Sequence, residues 1–118
     1  MYLPKLGNIY NFNISDDEKI VFNTRLKMFG TERNILLGTY GLLTLTNENM
    51  YIYNGAGLWT IDINNNISDF HRDNMCIDIS FSEICIFGEG DRICTGFKLY
   101  FNNDDINKFE EIMRNIIK

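Results

Sequence analysis

Apolar residues alternate from Gly41 to Ile63, interrupted by two polar turns, and this run constrains the 118-residue chain more than any other stretch. Side chains on a strand point to opposite faces in turn, so a pairing must bring apolar residues together on one side. A two-residue turn at Asn47-Glu48 sets Leu45 opposite Met50 and Leu43 opposite Ile52. Thr44 then pairs with Tyr51, and Leu42 with Tyr53, on the other face. A four-residue turn, Asn54 to Gly57, sets Ile52 opposite Trp59 and Met50 opposite Ile61. Three strands, 41–46, 49–54 and 58–63, thus agree on one buried face: Leu43, Leu45, Met50, Ile52, Trp59, Ile61 and Ile63. A slip of one residue would expose the whole set.

The rest of the chain is read around this meander. Lys19 to Phe29 alternates as a strand, with Ile20, Phe22, Thr24, Leu26 and Met28 inward and Val21, Asn23, Arg25, Lys27 and Phe29 outward. Gly30 to Gly38 is a connection with room for a short strand at Ile35-Leu36-Leu37. After Asn64-Asn65-Asn66 the alternation fails, because Ile67 and Phe70 cannot both point inward from a regular strand. A bulge, a bend or a change of sheet is needed there, and two small sheets folded over one another would supply it. Met75 to Phe81 carries Ile77, Ile79 and Phe81 inward. A second hairpin turns at Glu89-Gly90, with Ile86 facing Ile93 and Cys85 facing Cys94. Phe97, Leu99 and Phe101 share the parity of Ile93.

The chain closes on a helix. Asn102 or Asn103 can cap it, and Asp104 and Asp105 suit the positive end of the helix dipole. Ile106, Phe109, Met113 and Ile116, widened by Ile112 and Ile117, form an apolar stripe that must dock on something apolar. Asp104–Lys108 and Glu110–Arg114 are spaced as i,i+4 pairs. Ser15 to Glu18 reads either as a capping-box turn of helix or as a solvated acidic turn. The expected fold is mainly β (α+β): about seven antiparallel strands in two bent sheets, capped by one C-terminal helix. It forms a single domain over 1–118, with 1–16 as an N-terminal extension.

Composition narrows function. A net charge of −5 argues against nucleic acid, where phosphate neutralisation carries most of the affinity, although a local basic patch stays compatible with it. No apolar run approaches the roughly 20 residues that span a bilayer. The first residues lack the basic and apolar regions of a signal peptide, so the default compartment is cytoplasmic. Three cysteines without a Cys-x-x-Cys suggest neither a disulfide scaffold nor a zinc site. The glycine turns at 55–57 and 88–90 lack the strand-to-helix setting of a phosphate loop, and no cofactor is expected. Abundant isoleucine and asparagine fit an AT-rich, bacterial coding bias.

Gly41, Leu43, Leu45, Thr46, Asn47, Met50, Ile52 and Tyr53 match a stretch of the form G-x-L-Y-L-T-N-K-R-L-I-F-Y. In this the chain resembles GRAM domains and the bacterial pleckstrin-homology-like (PH-like) superfamily. Leu58 to Ile63, Ile67 and the opening Asp17 to Val21 resemble the family's next strand, its following isoleucine and its start. The resemblance implies a PH-like barrel and a binding module, since members bind phosphoinositides, peptides or proteins and some bacterial ones form rings. Two positions depart from the pattern. The family's basic pair is Glu48-Asn49 here, and its tyrosine in the first hairpin strand is Thr44.

Four groups of residues are candidates for function. Arg25, Lys27 and Arg33 flank the first strand and could converge on a lipid headgroup or anionic membrane surface; the alternative is a solvated outer face interrupted by Glu32. Leu42, Tyr51, Tyr53 and Phe87 are apolar or aromatic and face outward, as at a protein interface, unless the N-terminal segment buries them. His71, among Asp69, Arg72 and Asp73, could serve a small hydrolase or a metal site, or lie solvated near a loop. Cys76, Cys85 and Cys94 fall opposite the core by parity; Cys85 and Cys94 read as two packed thiols, with a redox or metal pair as the alternative. The favoured expectation is a non-enzymatic module that binds a protein partner or itself as a homo-oligomer. Lipid binding is the alternative, and no catalytic or metal residue is assigned.

Overall fold

The structure, a computed structural model, describes Ile14 and residues 16–33, 36–54, 57–87 and 92–117, with backbone alone described at 85–87 and at 92 and 93. Its strands are β1 (Ile20–Thr31), β2 (Leu36–Thr46), β3 (Asn49–Asn54), β4 (Gly57–Asp62), β5 (Ile67–Asp73), β6 (Cys76–Phe87) and β7 (Arg92–Tyr100). A one-turn helix α1 (Ile63–Asn66) joins β4 to β5, and α2 (Asp105–Ile116) follows β7.

The central meander forms in the register that its apolar pattern dictates. Leu45 pairs with Met50, Leu43 with Ile52, Thr44 with Tyr51 and Leu42 with Tyr53. Ile52 pairs with Trp59 and Met50 with Ile61. All seven side chains of the expected inner face are buried. Thr46 locks the turn, because its Oγ1 accepts hydrogen bonds from the N–H groups of Glu48 and Asn49 at 3.1 and 2.9 Å.

The strands form one continuous sheet in the order β4-β3-β2-β1-β7-β6-β5, in place of the two sheets expected. The reason lies in β1, which pairs with β2 along its length and with β7 through Met28–Thr31. Seven flat strands would span about 29 Å at the usual spacing, yet the outermost two are joined by one turn of helix, about 6 Å long. The sheet must therefore curl until its edges approach. It does not close, because the ladder ends at β4 on one side and β5 on the other. Asp62 caps α1 through its Oδ1, which accepts from the N–H groups of Asn64 and Asn65. The expected irregularity after the asparagines is a register shift between Ile67 and Asp69.

Curling reverses the parity of β1. Leu26 and Phe29 both point into the core, while Met28 is only half-buried. Phe29, read as outward, is instead fully buried, with its ring 5.1 Å from that of Trp59. Across from the reversal, Tyr40 takes a left-handed backbone at φ 59°. Gly41 makes room for the ring, since a Cβ there would stand 2.7 Å from Cε1 of Phe29. A second correction concerns Cys94. The ladder pairs Cys85 with Cys94 and Ile86 with Ile93 as expected, but it shifts between Ser80 and Cys85. That shift breaks simple parity, and Cys94 is a fully buried thiol of the core.

Helix α2 fills the open side of the curl. Ile106, Phe109 and Met113 are buried, and the Phe109 ring lies 5.4 Å from Phe101 and 6.2 Å from Phe22. Two polar ties fix its direction: Thr24 Oγ1 donates to Asp105 Oδ2 at 2.6 Å, and Arg72 Nη1 meets Glu110 Oε1 at 3.1 Å. Asn103 Oδ1 accepts from the Asp105 N–H at 2.9 Å, and Glu110–Arg114 pairs at 2.9 Å. Among the described residues, Asp104 and Lys108 form no ion pair, and no helix is long and apolar enough to cross a membrane.

Candidate interaction surface

Cross-strand partners share a face, so the ladder itself shows what the outer surface displays. On one half of the sheet, Arg25 pairs with Leu42, Leu42 with Tyr53, and Tyr53 with Leu58, where the row ends in a buried side chain. This row unites one candidate cation with two candidate interface residues. Arg25, Tyr40, Gly41, Leu42, Tyr53 and Asn54 line a concavity of about 240 Å³ there. Leu42 is 41% exposed and Tyr40 73% exposed. Lys27 is also exposed, and the pairs Leu26–Gly41 and Met28–Thr39 place it across from Tyr40. Among the described residues, neither Arg25 nor Lys27 forms an ion pair.

The other candidates are placed differently. Arg33 lies beyond the end of β1, eight residues from Arg25, with its Nε 3.8 Å from Glu32. Glu32 also accepts from the N–H groups of Thr95 and Gly96, which ties this turn to β7. Arg25 and Lys27 therefore share one surface and Arg33 does not. Tyr51 points outward by register but is only 6% exposed. Its hydroxyl donates to Glu18 Oε1 at 2.6 Å, and the other oxygen of that carboxylate accepts from Thr46 at 2.6 Å. Burial, with the hydrogen bond and charge of Glu18, pushes the Tyr51 phenol up to about 12. Tyr51 is thus largely buried and tied to Glu18. The side chain of Phe87 and residues 1–13 lie outside the described residues.

The other half of the outer face is built from β1, β7, β6 and β5. One row runs Met28, Tyr100, Cys76, Asp73, and the next runs Gly30, Lys98, Asp78, His71. Two adjoining hollows of about 250 and 340 Å³ share Lys98 and Tyr100. The Cys76 thiol lies 3.8 Å from Asp78 Oδ1, and Tyr100 is its cross-strand partner on β7. Burial, and then the Asp78 charge, push Cys76 up to about 11; burial, and then Cys76, raise Tyr100. A thiol held protonated in this way is a poor nucleophile. His71 is exposed on the edge strand, and its neighbour Arg72 is committed to α2. Among the described residues, no group of three His, Cys, Asp or Glu side chains could hold a metal ion.

Tyr40 was not legible as a site residue. The one available signal was Gly41, since a glycine inside an apolar strand pattern marks a bulge or a close approach. No family model and no curated protein matches the chain.

Proposed function

We propose that this chain is a non-enzymatic binding module that takes a protein partner, including another copy of itself, on the outer face of β1–β3. The observation that carries the reading is the row Arg25–Leu42–Tyr53, which forms one concave surface with exposed Tyr40 at its rim. Tyrosine and arginine side chains beside a hollow are the residue types enriched at interface centres. The strand order and the C-terminal helix support a PH-like architecture of the GRAM type, in an open form.

A lipid headgroup is the competing ligand. It needs several converging donors, and the separation of Arg33 from Arg25 and Lys27 supports it less well. Affinity capture with immobilised protein tests the reading. Proteins retained by the wild type should be lost from both Leu42→Asp and Tyr53→Ala. Equal retention by all three would sink the reading. Co-sedimentation with anionic vesicles that depends on Arg33 as much as on Arg25 would favour lipid instead.

A further inference from the structure

We propose that the concavity beside Tyr40 receives an apolar side chain from an acidic segment of a partner protein, with Arg25 and Lys27 meeting the carboxylates that flank it. The inference rests on the binding reading above and adds the chemistry of the partner. Its first support is Tyr40 itself. It holds a left-handed backbone at φ 59°, where a bulky non-glycine side chain is a rare outlier. This ring gains little from burial, for it is the most exposed of the large apolar side chains among the described residues. The bend of β1 sets its backbone, and the exposed ring is left to meet what lies outside the chain.

Charge supplies the second support. The protein carries a net charge of −5, yet the concavity is lined by Arg25 with no carboxylate, and Lys27 stands beside it. An acidic partner is drawn to this face and repelled by most of the remainder. Size supplies the third. About 240 Å³ falls below the roughly 300–1,000 Å³ usual for small-molecule pockets, and suits one side chain of a longer segment.

The test uses the full isotope-labelled chain and three synthetic peptides: acetyl-Asp-Glu-Phe-Asp-Glu-amide, the same peptide with Gly for Phe, and acetyl-Lys-Arg-Phe-Lys-Arg-amide. The acidic phenylalanine peptide should shift the amide signals of Arg25, Tyr40, Leu42 and Tyr53, and salt should weaken it. The other two peptides, and the acidic phenylalanine peptide with Arg25→Glu/Lys27→Glu protein, should bind roughly tenfold more weakly or worse. Tyr40→Gly should raise the melting temperature while weakening binding, a combination that a purely structural tyrosine would not give. Equal binding of the basic peptide, shifts confined to another face, or a Tyr40→Gly protein that is destabilised yet binds normally would overturn the proposal. So would a preference for phosphatidylglycerol vesicles over the acidic peptide. If the peptides fail while capture still depends on Leu42 and Tyr53, the partner chemistry is wrong and the binding reading stands. If both fail, both fall.

Discussion

The two halves of the outer sheet face use the same alternation, on different strands of one sheet, for opposite ends. On β5–β7, Cys76, Asp78, Lys98 and Tyr100 are half-buried, and the Cys76 thiol donates to the Asp78 carboxylate. Thiol and carboxylate there are satisfied by each other within the chain. On β1–β3, Arg25, Lys27, Tyr40 and Leu42 are exposed. The difference teaches that a hollow alone is a poor guide to a site. The largest of these hollows lies on the internally satisfied half, and the smallest lies where side chains are presented outward.

The comparison can be broken at its common support. Phe29 sits under both halves, so Phe29→Ala should cost about 3–5 kcal/mol in urea unfolding. A much smaller loss would mean that the bend is not held by this ring. Next in size is Tyr51→Phe, which removes the hydroxyl from Glu18 and should cost about 1–2 kcal/mol.

Titration separates the two halves further. A group whose folded pKa is raised binds its proton more tightly when folded, so stability falls as pH climbs past the unfolded value. Cys76, raised from 9.0 to about 11, contributes stability that is whole below pH 9 and lost towards 11. Tyr51, raised from 10.0 to about 12, contributes stability that is whole below pH 10 and lost towards 12. Stability measured against pH should therefore flatten over the lower window in Cys76→Ala and over the upper one in Tyr51→Phe. Unchanged profiles would show that neither group is held as described. The smallest expected effect is the most discriminating. Leu42→Asp should change stability by no more than about 0.5 kcal/mol, and a large loss would place Leu42 in the internally satisfied class.

Much of this fold was legible because its signals are local. The register of the meander follows from two turns and an alternation, and every pair expected between residues 42 and 61 is present. The α2 stripe was legible for the same reason. Phe29 and Cys94 were misread because a curled sheet and a shifted ladder change parity through long-range pairing. No neighbour in sequence marks those places. Leu42, Tyr53 and Arg25 were each identifiable as candidates, but their union in one row required the register of three strands. Tyr51 looked exposed because nothing in its own strand reveals that Glu18 folds against it.

Strand β1 has one consequence beyond architecture. Arg25 faces the proposed partner, while the residue before it, Thr24, faces inward and holds the first turn of α2 through Asp105. Adjacent positions on one strand thus touch the outside world and the terminal helix. If docking at Arg25 alters the set of this strand, it alters the seating of the helix, and thermodynamic reciprocity requires that the seating of the helix alter docking by the same factor. A Thr24→Val protein, whose helix has lost that tether, would then read out through its affinity for a partner that never touches the helix.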